Sequence, residues 1–285
     1  MRSLFPLATI GGFIFSLGLS GCTGKSGDDT GSDDDTDTDS DTDSDTDSDT
    51  DTDTDADPTK ATLSGVCLFS DGSPAKSVQM RLCKDLCLTT WTDESGAWTI
   101  SGADAGASAF EAVPLGQQDT FATPLAPIIL EEGETRALED SLLVPAFTDS
   151  ESLSGASTVT IGDLTVEADS SGMTPTDNAS SDEAYFAAVE VDPNTAGLPF
   201  DLVEGTPVAQ WYFGNFDHEI APAWSFSVAN DYGLAAGTTL NIVAANYSTK
   251  EWEAAGTATV NEDGTITSDA DSGIAILTSM LLVTP

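Results

Sequence analysis

The sequence predicts an all-β protein, with two β-sandwich domains standing behind a signal segment and a disordered acidic linker. Three observations carry this. Short runs rich in Val, Ile, Thr and aromatics recur with turn residues between them. Helical periodicity is nearly absent. Gly and Pro are plentiful, at 25 and 13, and they punctuate strands more readily than helices.

Residues 1–21 read as a secretory signal. Met1-Arg2-Ser3 is followed by an apolar run from Leu4 to Leu19 that holds Pro6, Gly11 and Gly12. It is shorter than the roughly 20 apolar residues that cross a bilayer, and small residues close it, as at a cleavage site. Leu19-Ser20-Gly21-Cys22 resembles the lipobox of bacterial lipoproteins. The resemblance implies cleavage before Cys22, a diacylglyceryl group on its thiol, and anchoring through that lipid. Thr23, where Asp would favour the inner membrane, points to the bacterial outer membrane, with the body at the cell surface or the periplasmic face. Two or more acyl chains hold stably where one holds only marginally.

Residues 22–58 form the lipidated cysteine and a tether. From Asp28 to Asp57 the chain is almost purely Asp alternating with Thr or Ser. Sixteen acids lie there, which leaves −25 of the formal charge of −41 on the rest. A charge on every second residue and nothing to bury predict disorder. Carboxylates about 7 Å apart repel within a Debye length of about 8 Å, so the tether is extended and reads as a spacer. The D-x-D-x-D pattern lacks the Gly and distant Glu of an EF-hand loop, so no specific Ca²⁺ site is expected. Gly24-Lys25-Ser26 lacks the leading Gly of a phosphate loop, since position 19 is Leu19.

Residues 59–147 are the first expected sandwich, with strands at Leu63–Phe69, Val78–Cys83, Cys87–Trp91, Ala97–Ile100, Ser108–Val113, Phe121–Leu130 and Arg136–Val144. Turns fall at Ser70–Pro74 and Thr92–Gly96. Here Leu63-Ser64-Gly65-Val66-Cys67, Asp71-Gly72-Ser73-Pro74-Ala75, Val78-Gln79-Met80-Arg81-Leu82 and Thr92-Asp93-Glu94-Ser95-Gly96-Ala97-Trp98-Thr99-Ile100 resemble the carboxypeptidase regulatory-like domain. That family is a transthyretin-like or immunoglobulin-like sandwich, and the resemblance implies a non-catalytic spacer or adhesive module. Some relatives of the class bind carbohydrate; no residue pattern here transfers that role.

Cys83 and Cys87 flank a three-residue turn, within bridging distance across a hairpin, and export permits a disulfide. A C-x₃-C metal pair competes, but a zinc site needs further ligands and His218 is the one histidine. The disulfide is the preferred reading. Cys67, on the apolar side of its strand, reads as a small hydrophobe.

Residues 148–156 read as a linker and 157–285 as the second sandwich. Its strands are expected at Thr158–Ile161, Leu164–Ala168, Tyr185–Val191, Val208–Phe213, Ala223–Val228, Thr239–Ala245, Trp252–Val260, Gly264–Thr267 and Ile274–Val283, with a polar insertion from Asp169 to Asp182. Val228–Leu240, with its N-x-x-G-L-x-x-G-T spacing, and Trp252–Gly264 resemble bacterial surface modules related to the ZU5 and UPA sandwiches. Self-cleavage, known in that wider group at a His-x-Ser site, is not implied: Trp224-Ser225-Phe226-Ser227 has no adjacent His.

No catalytic, cofactor or metal site is expected. His218, between Asp217 and Glu219, reads as an exposed loop residue, and a Ser-His-Asp triad lacks its G-x-S-x-G elbow. Trp91, Trp98, Trp211, Trp224 and Trp252 sit at strand positions and read as core. Eight Lys and Arg against 49 acids exclude nucleic acid and anionic lipid surfaces as partners. The remaining partners are the membrane through Cys22, envelope polysaccharide or surface proteins.

Overall fold

The computed structural model describes residues 57–285; the expected signal, Cys22 and nearly all of the tether lie outside them. The first block holds β1 (Ala61–Phe69), β2 (Gln79–Cys83), β3 (Cys87–Trp91), β4 (Ala97–Ala103), β5 (Gly106–Val113), β6 (Leu125–Leu130), β7 (Thr135–Ala137) and β8 (Leu142–Val144). The second holds β9 (Ser150–Ser152), β10 (Ala156–Ile161), β11 (Leu164–Asp169), β12 (Met173–Pro175), β13 (Tyr185–Val191), β14 (Thr206–Gly214) and β15 (His218–Trp224). It continues with β16 (Phe226–Ala229), β17 (Thr239–Asn246), β18 (Glu251–Val260), β19 (Thr265–Ser268), β20 (Ile274–Ile276) and β21 (Ser279–Thr284). The class is all-β: a single 3₁₀ turn, Ser170–Gly172, is the one helical element among the described residues. None of them forms a helix long and apolar enough to cross a membrane.

In the first block one sheet runs β4-β1-β7, with β8 also on β1, and faces a second of order β3-β2-β5-β6. Leu63, Met80, Leu82, Trp98, Phe110 and Ile128 fill the space between them. The turns follow from local chemistry. In Asp71-Gly72-Ser73, Asp93-Glu94-Ser95 and Asp263-Gly264-Thr265 the aspartate accepts from both the N–H and the hydroxyl two residues on. Those bonds hold the three carboxyls below the usual range. Gly96 needs its left-handed φ of 79°, and a Cβ there would lie 2.2 Å from the Cys67 carbonyl.

The second block is a ten-stranded sheet, β10-β11-β16-β19-β18-β17-β21-β14-β13-β9, and a small one, β12-β15-β20. Val159 and Ile161 near one end of the large sheet share a core with Phe186 and Ala188 near the other, so the sheet curls around a single interior. Two expected strands each divide between sheets. Ala223–Val228 breaks at Ser225 and Ile274–Val283 at Leu277–Thr278, their first halves in the small sheet and their second in the large one. Both halves are apolar because both line one core, so hydrophobicity does not mark the corner.

Two stretches read as irregular carry strands. Ser150–Ser152, in the expected linker, pairs with β13, and Met173–Pro175, in the expected insertion, pairs with β15. Both are three-residue edge strands without a fully buried residue, too short to show alternation.

The two blocks share buried surface. On β14, Trp211 and Phe213 enter the second core while Tyr212, facing the opposite way, packs in the first. Cys83, Ala109 and Leu125 of the first block's sheet meet Phe216 and Ala245, and the Leu125 N–H donates to Ser279 Oγ at 2.9 Å. The described residues thus form one compact unit.

Candidate functional site

A polar recess lies where the blocks meet. Its floor is built by the turn from Gly214 to Asp217 that joins β14 to β15. Asn215 and Asp217 both take left-handed φ, 59° and 62°, which Asn and Asp tolerate better than other side chains. The backbone reversal drives Phe216 into the interface. Asn215 Nδ2 donates to the carbonyls of Glu183 and Tyr185 at 2.7 and 3.2 Å, and its own carbonyl lies 2.9 Å from His218 Nδ1.

Glu111 closes the site from the first block. It is the charged member of the apolar run Ala109-Phe110-Glu111-Ala112-Val113 on β5 and is 0 % exposed. Arg81, opposite it on β2, reaches Oε1 at 3.5 Å; Asn178 Nδ2, from the second block, donates to Oε2 at 3.4 Å. Burial outweighs both and pushes the carboxyl up to about 6, with the charge of Asp217 adding to the shift. Asp217 is pushed upward by burial too, opposed by the Thr176 hydroxyl that donates to it at 2.5 Å. Tyr247, in the turn after β17, sets its hydroxyl 3.3 Å from Cys87 Sγ; burial and then Glu111 raise it. Around these groups lies an open recess of about 490 Å³ lined by Pro175, Asn178, Glu219, Tyr247 and Ser248. A smaller one of about 180 Å³ between Arg81, Glu111 and Phe216 adjoins it through Asp177 and Asn178.

His218 corrects an expectation: it is 2 % exposed, the first residue of β15, because the turn before it folds inward between the blocks. The tryptophans divide. Trp98, Trp211 and Trp224 are core, Trp252 is half-buried beside Phe200, and Trp91 on the edge strand β3 is 51 % exposed. Cys83 and Cys87 are joined by a disulfide, Cα atoms 4.0 Å apart. Cys67 is free, and burial pushes its thiol up to about 12, which leaves it protonated and unreactive at neutral pH. Among the described residues, no three His, Cys, Asp or Glu side chains converge as a metal site. Cys22 lies outside the described residues.

Glu111 has a proton affinity suited to acid–base work, but no face open to a substrate and both oxygens engaged. The recess offers hydroxyls, an amide, carboxylates and one ring, a set suited to binding. Sequence reasoning did not reach Arg81, Glu111, Asn178, Asp217 or Tyr247. The one available signal was Glu111, a lone charge in a run otherwise buried on both faces.

The chain matches no described protein family and no curated protein. Among solved structures it is similar to a protein of Bacteroides uniformis ATCC 8492 assigned provisionally to carbohydrate binding, at 7 % identity over 79 % of each chain with a TM-score of 0.23. A streptococcal ancillary pilin overlaps at 10 % identity, over 80 % of this chain and 54 % of that one, with a TM-score of 0.25. A DUF3823 family protein of Bacteroides ovatus ATCC 8483 does so at 10 % identity over 79 % and 82 %, TM-score 0.23. None of these overlaps says what this chain binds.

Proposed function

We propose that this is an exported bacterial lipoprotein, held to the outer membrane through a lipid on Cys22, whose β-rich body acts as a non-catalytic adhesive, scaffold or spacer module. One observation carries the non-catalytic reading. The groups with acid–base chemistry at the recess, Glu111, Asp217 and His218, are all buried and engaged in holding the junction together. The order of signal, lipobox and acidic tether supports display away from the membrane. The test is Cys22→Ala followed by membrane fractionation and mass spectrometry of the N-terminus. The expected result is an uncleaved or soluble secreted form; a variant processed and membrane-bound like the parent overturns the anchor.

A second reading, glycan binding, draws on the Tyr247-lined recess and on exposed Trp91, since sugar sites pair ring faces with hydrogen-bonding groups. Pull-down of envelope polysaccharide by the parent, lost in Tyr247→Ala or Trp91→Ala, is its expected signature. Equal retention by all three removes both aromatics from the argument.

A further inference from the structure

We propose that the outer edge of β3 is an interaction edge, and that its occupant is the β3 edge of a second copy of this chain, joined antiparallel about Thr89. β3 ends the sheet β3-β2-β5-β6, and among the described residues no strand pairs with its outer side. The ladder decides which backbone groups face outward. Thr92, directly after β3, donates its N–H to the carbonyl of Val78, directly before β2. By alternation the backbone groups of Thr90 and Leu88 also point at β2, and those of Cys87, Thr89 and Trp91 point away. The 4.0 Å between the Cα atoms of Cys83 and Cys87 agrees, being the close approach of a pair that exchanges no ladder bonds. Natural edges are kept from pairing by short length, charge or proline. β7, β9 and β12 are three residues long and hold Arg136, Glu151 and Pro175, and β6 holds Pro127. β3, Cys87-Leu88-Thr89-Thr90-Trp91, has neither charge nor proline. The uncharged edges β4 and β10 expose only Ala, Ser, Thr and Gly. The β3 hairpin exposes Trp91 at one end, by 51 %, and Leu86 at the other, by 85 %.

A second copy fits this edge in one register. With Thr89 opposite Thr89, Cys87 of each copy stands opposite Trp91 of the other, and all the outward N–H and C=O groups of the three residues are paired. Any other register leaves at least one of the three facing a turn. Opposed side chains share a face, so Trp91 of each copy lies over the Cys83–Cys87 disulfide of the other, next to Leu86 at its tip. The exposed apolar groups of one copy cover those of the next, a reciprocity that an unrelated extended peptide does not supply. Charge permits the approach. The chain carries −25 outside the acidic tract. Of the six Lys and Arg among the described residues, Lys76, Arg81 and Lys84 border this hairpin and offset Glu94, Glu111 and Asp85, leaving Asp93 over. An acidic second copy meets little repulsion here. Five paired residues and two side chains from each copy make a contact smaller than the roughly 1,200–2,000 Å² of stable interfaces, so the dimer is weak and depends on concentration. The inference goes beyond the module role proposed above, does not depend on the lipid anchor, and claims Trp91 for a protein contact rather than for sugar.

Hydrogen exchange with mass spectrometry on the full mature chain in detergent micelles tests this. With a Kd of about 50 µM, exchange at Cys87, Thr89 and Trp91 slows about fourfold between about 5 and about 500 µM, while peptides of the β10 edge do not change. A covalent test runs beside it. Under mild oxidation Thr89→Cys is expected to give a dimer linked through position 89 of both copies, shown by peptide mapping, and Thr158→Cys on the β10 edge none. Adding Trp91→Lys to Thr89→Cys is expected to cut the linked dimer by about tenfold, as loss of a central aromatic contact does. Exchange on β3 that is independent of concentration overturns the proposal, as does linkage at position 158 as ready as at 89. So does linkage undiminished by Trp91→Lys. Protection of β3 that appears only on adding envelope polysaccharide assigns the edge to sugar and refutes pairing between copies.

Discussion

Gly197→Ala tests whether the two blocks fold as one body. Gly197 lies in the loop between β13 and β14, with φ 69°, where the loop crosses the first block beside β8. A Cβ there would sit 2.2 Å from the Ser141 carbonyl oxygen, 2.6 Å from its carbon and 2.8 Å from Leu142 Cα. All three are backbone atoms with no side-chain rotation to relieve them. The left-handed conformation costs an L-residue about 1–2 kcal/mol, and overpacking a close contact costs about 1–3 kcal/mol more. Displacing the loop also strains the Leu143 N–H to Ala196 carbonyl bond and lifts Leu198 from the first core. The expected loss is about 2–5 kcal/mol, a large share of a typical stability of about 5–15 kcal/mol. Gly233→Ala is the control, because Gly233 has φ 70° and nothing within 4 Å of the added carbon. The difference between the variants isolates the contact. Urea unfolding followed by tryptophan fluorescence reads both blocks, Trp98 reporting on the first and Trp211 and Trp224 on the second. One transition, moved to lower urea in Gly197→Ala well beyond the control, is expected. Equal losses in the two variants, or two transitions of which one is unmoved, would refute a shared junction.

Three further outcomes follow from the same contacts. For Glu111 the folded carboxyl stands above its unfolded value, so its contribution is complete below pH 4.5 and lost as pH rises through about 6, a change of about 2 kcal/mol. The stability of the parent minus that of Glu111→Gln should fall by that amount between pH 4.5 and 7; a constant difference contradicts the assignment. Gln210 is buried between the cores beside the Tyr212 hydroxyl, yet neither its amide atoms nor that hydroxyl makes a hydrogen bond of good geometry. Gln210→Met should therefore stabilise by about 1–3 kcal/mol in urea unfolding, and a comparable loss would reveal a polar contact that the substitution removes. Alkylation of denatured mature protein should label Cys67 alone without reductant, and Cys67, Cys83 and Cys87 after reduction. Three labels without reductant would exclude the bridge, whose small loop is expected to contribute about 2 kcal/mol in the chain-entropy model.

The sequence by itself determined the all-β class and most strand positions, because alternation, turn chemistry and the punctuation of Gly and Pro are local. The D-x-S and D-x-T turns show this well: each aspartate bonds only to residues within four of it. It also put Cys83 and Cys87 within bridging reach across a hairpin with a metal pair as the competing reading, and the fold, setting them opposite each other in register on β2 and β3, joins them as a disulfide. The switching of Ala223–Val228 and Ile274–Val283 between sheets, the second face of β14 and the burial of His218 were decided only by tertiary structure. Each depends on a surface supplied by residues far along the chain. The candidate site is the extreme case: Arg81, Glu111, Asn178, Asp217 and Tyr247 come from five separate segments, each unremarkable alone. Glu111 is a lone charge in an apolar run until β2 brings Arg81 beside it and the second block lays Asn178 across it. Burial, which sets the proton affinity of that carboxyl, is a property of the packed junction and not of any one stretch of chain.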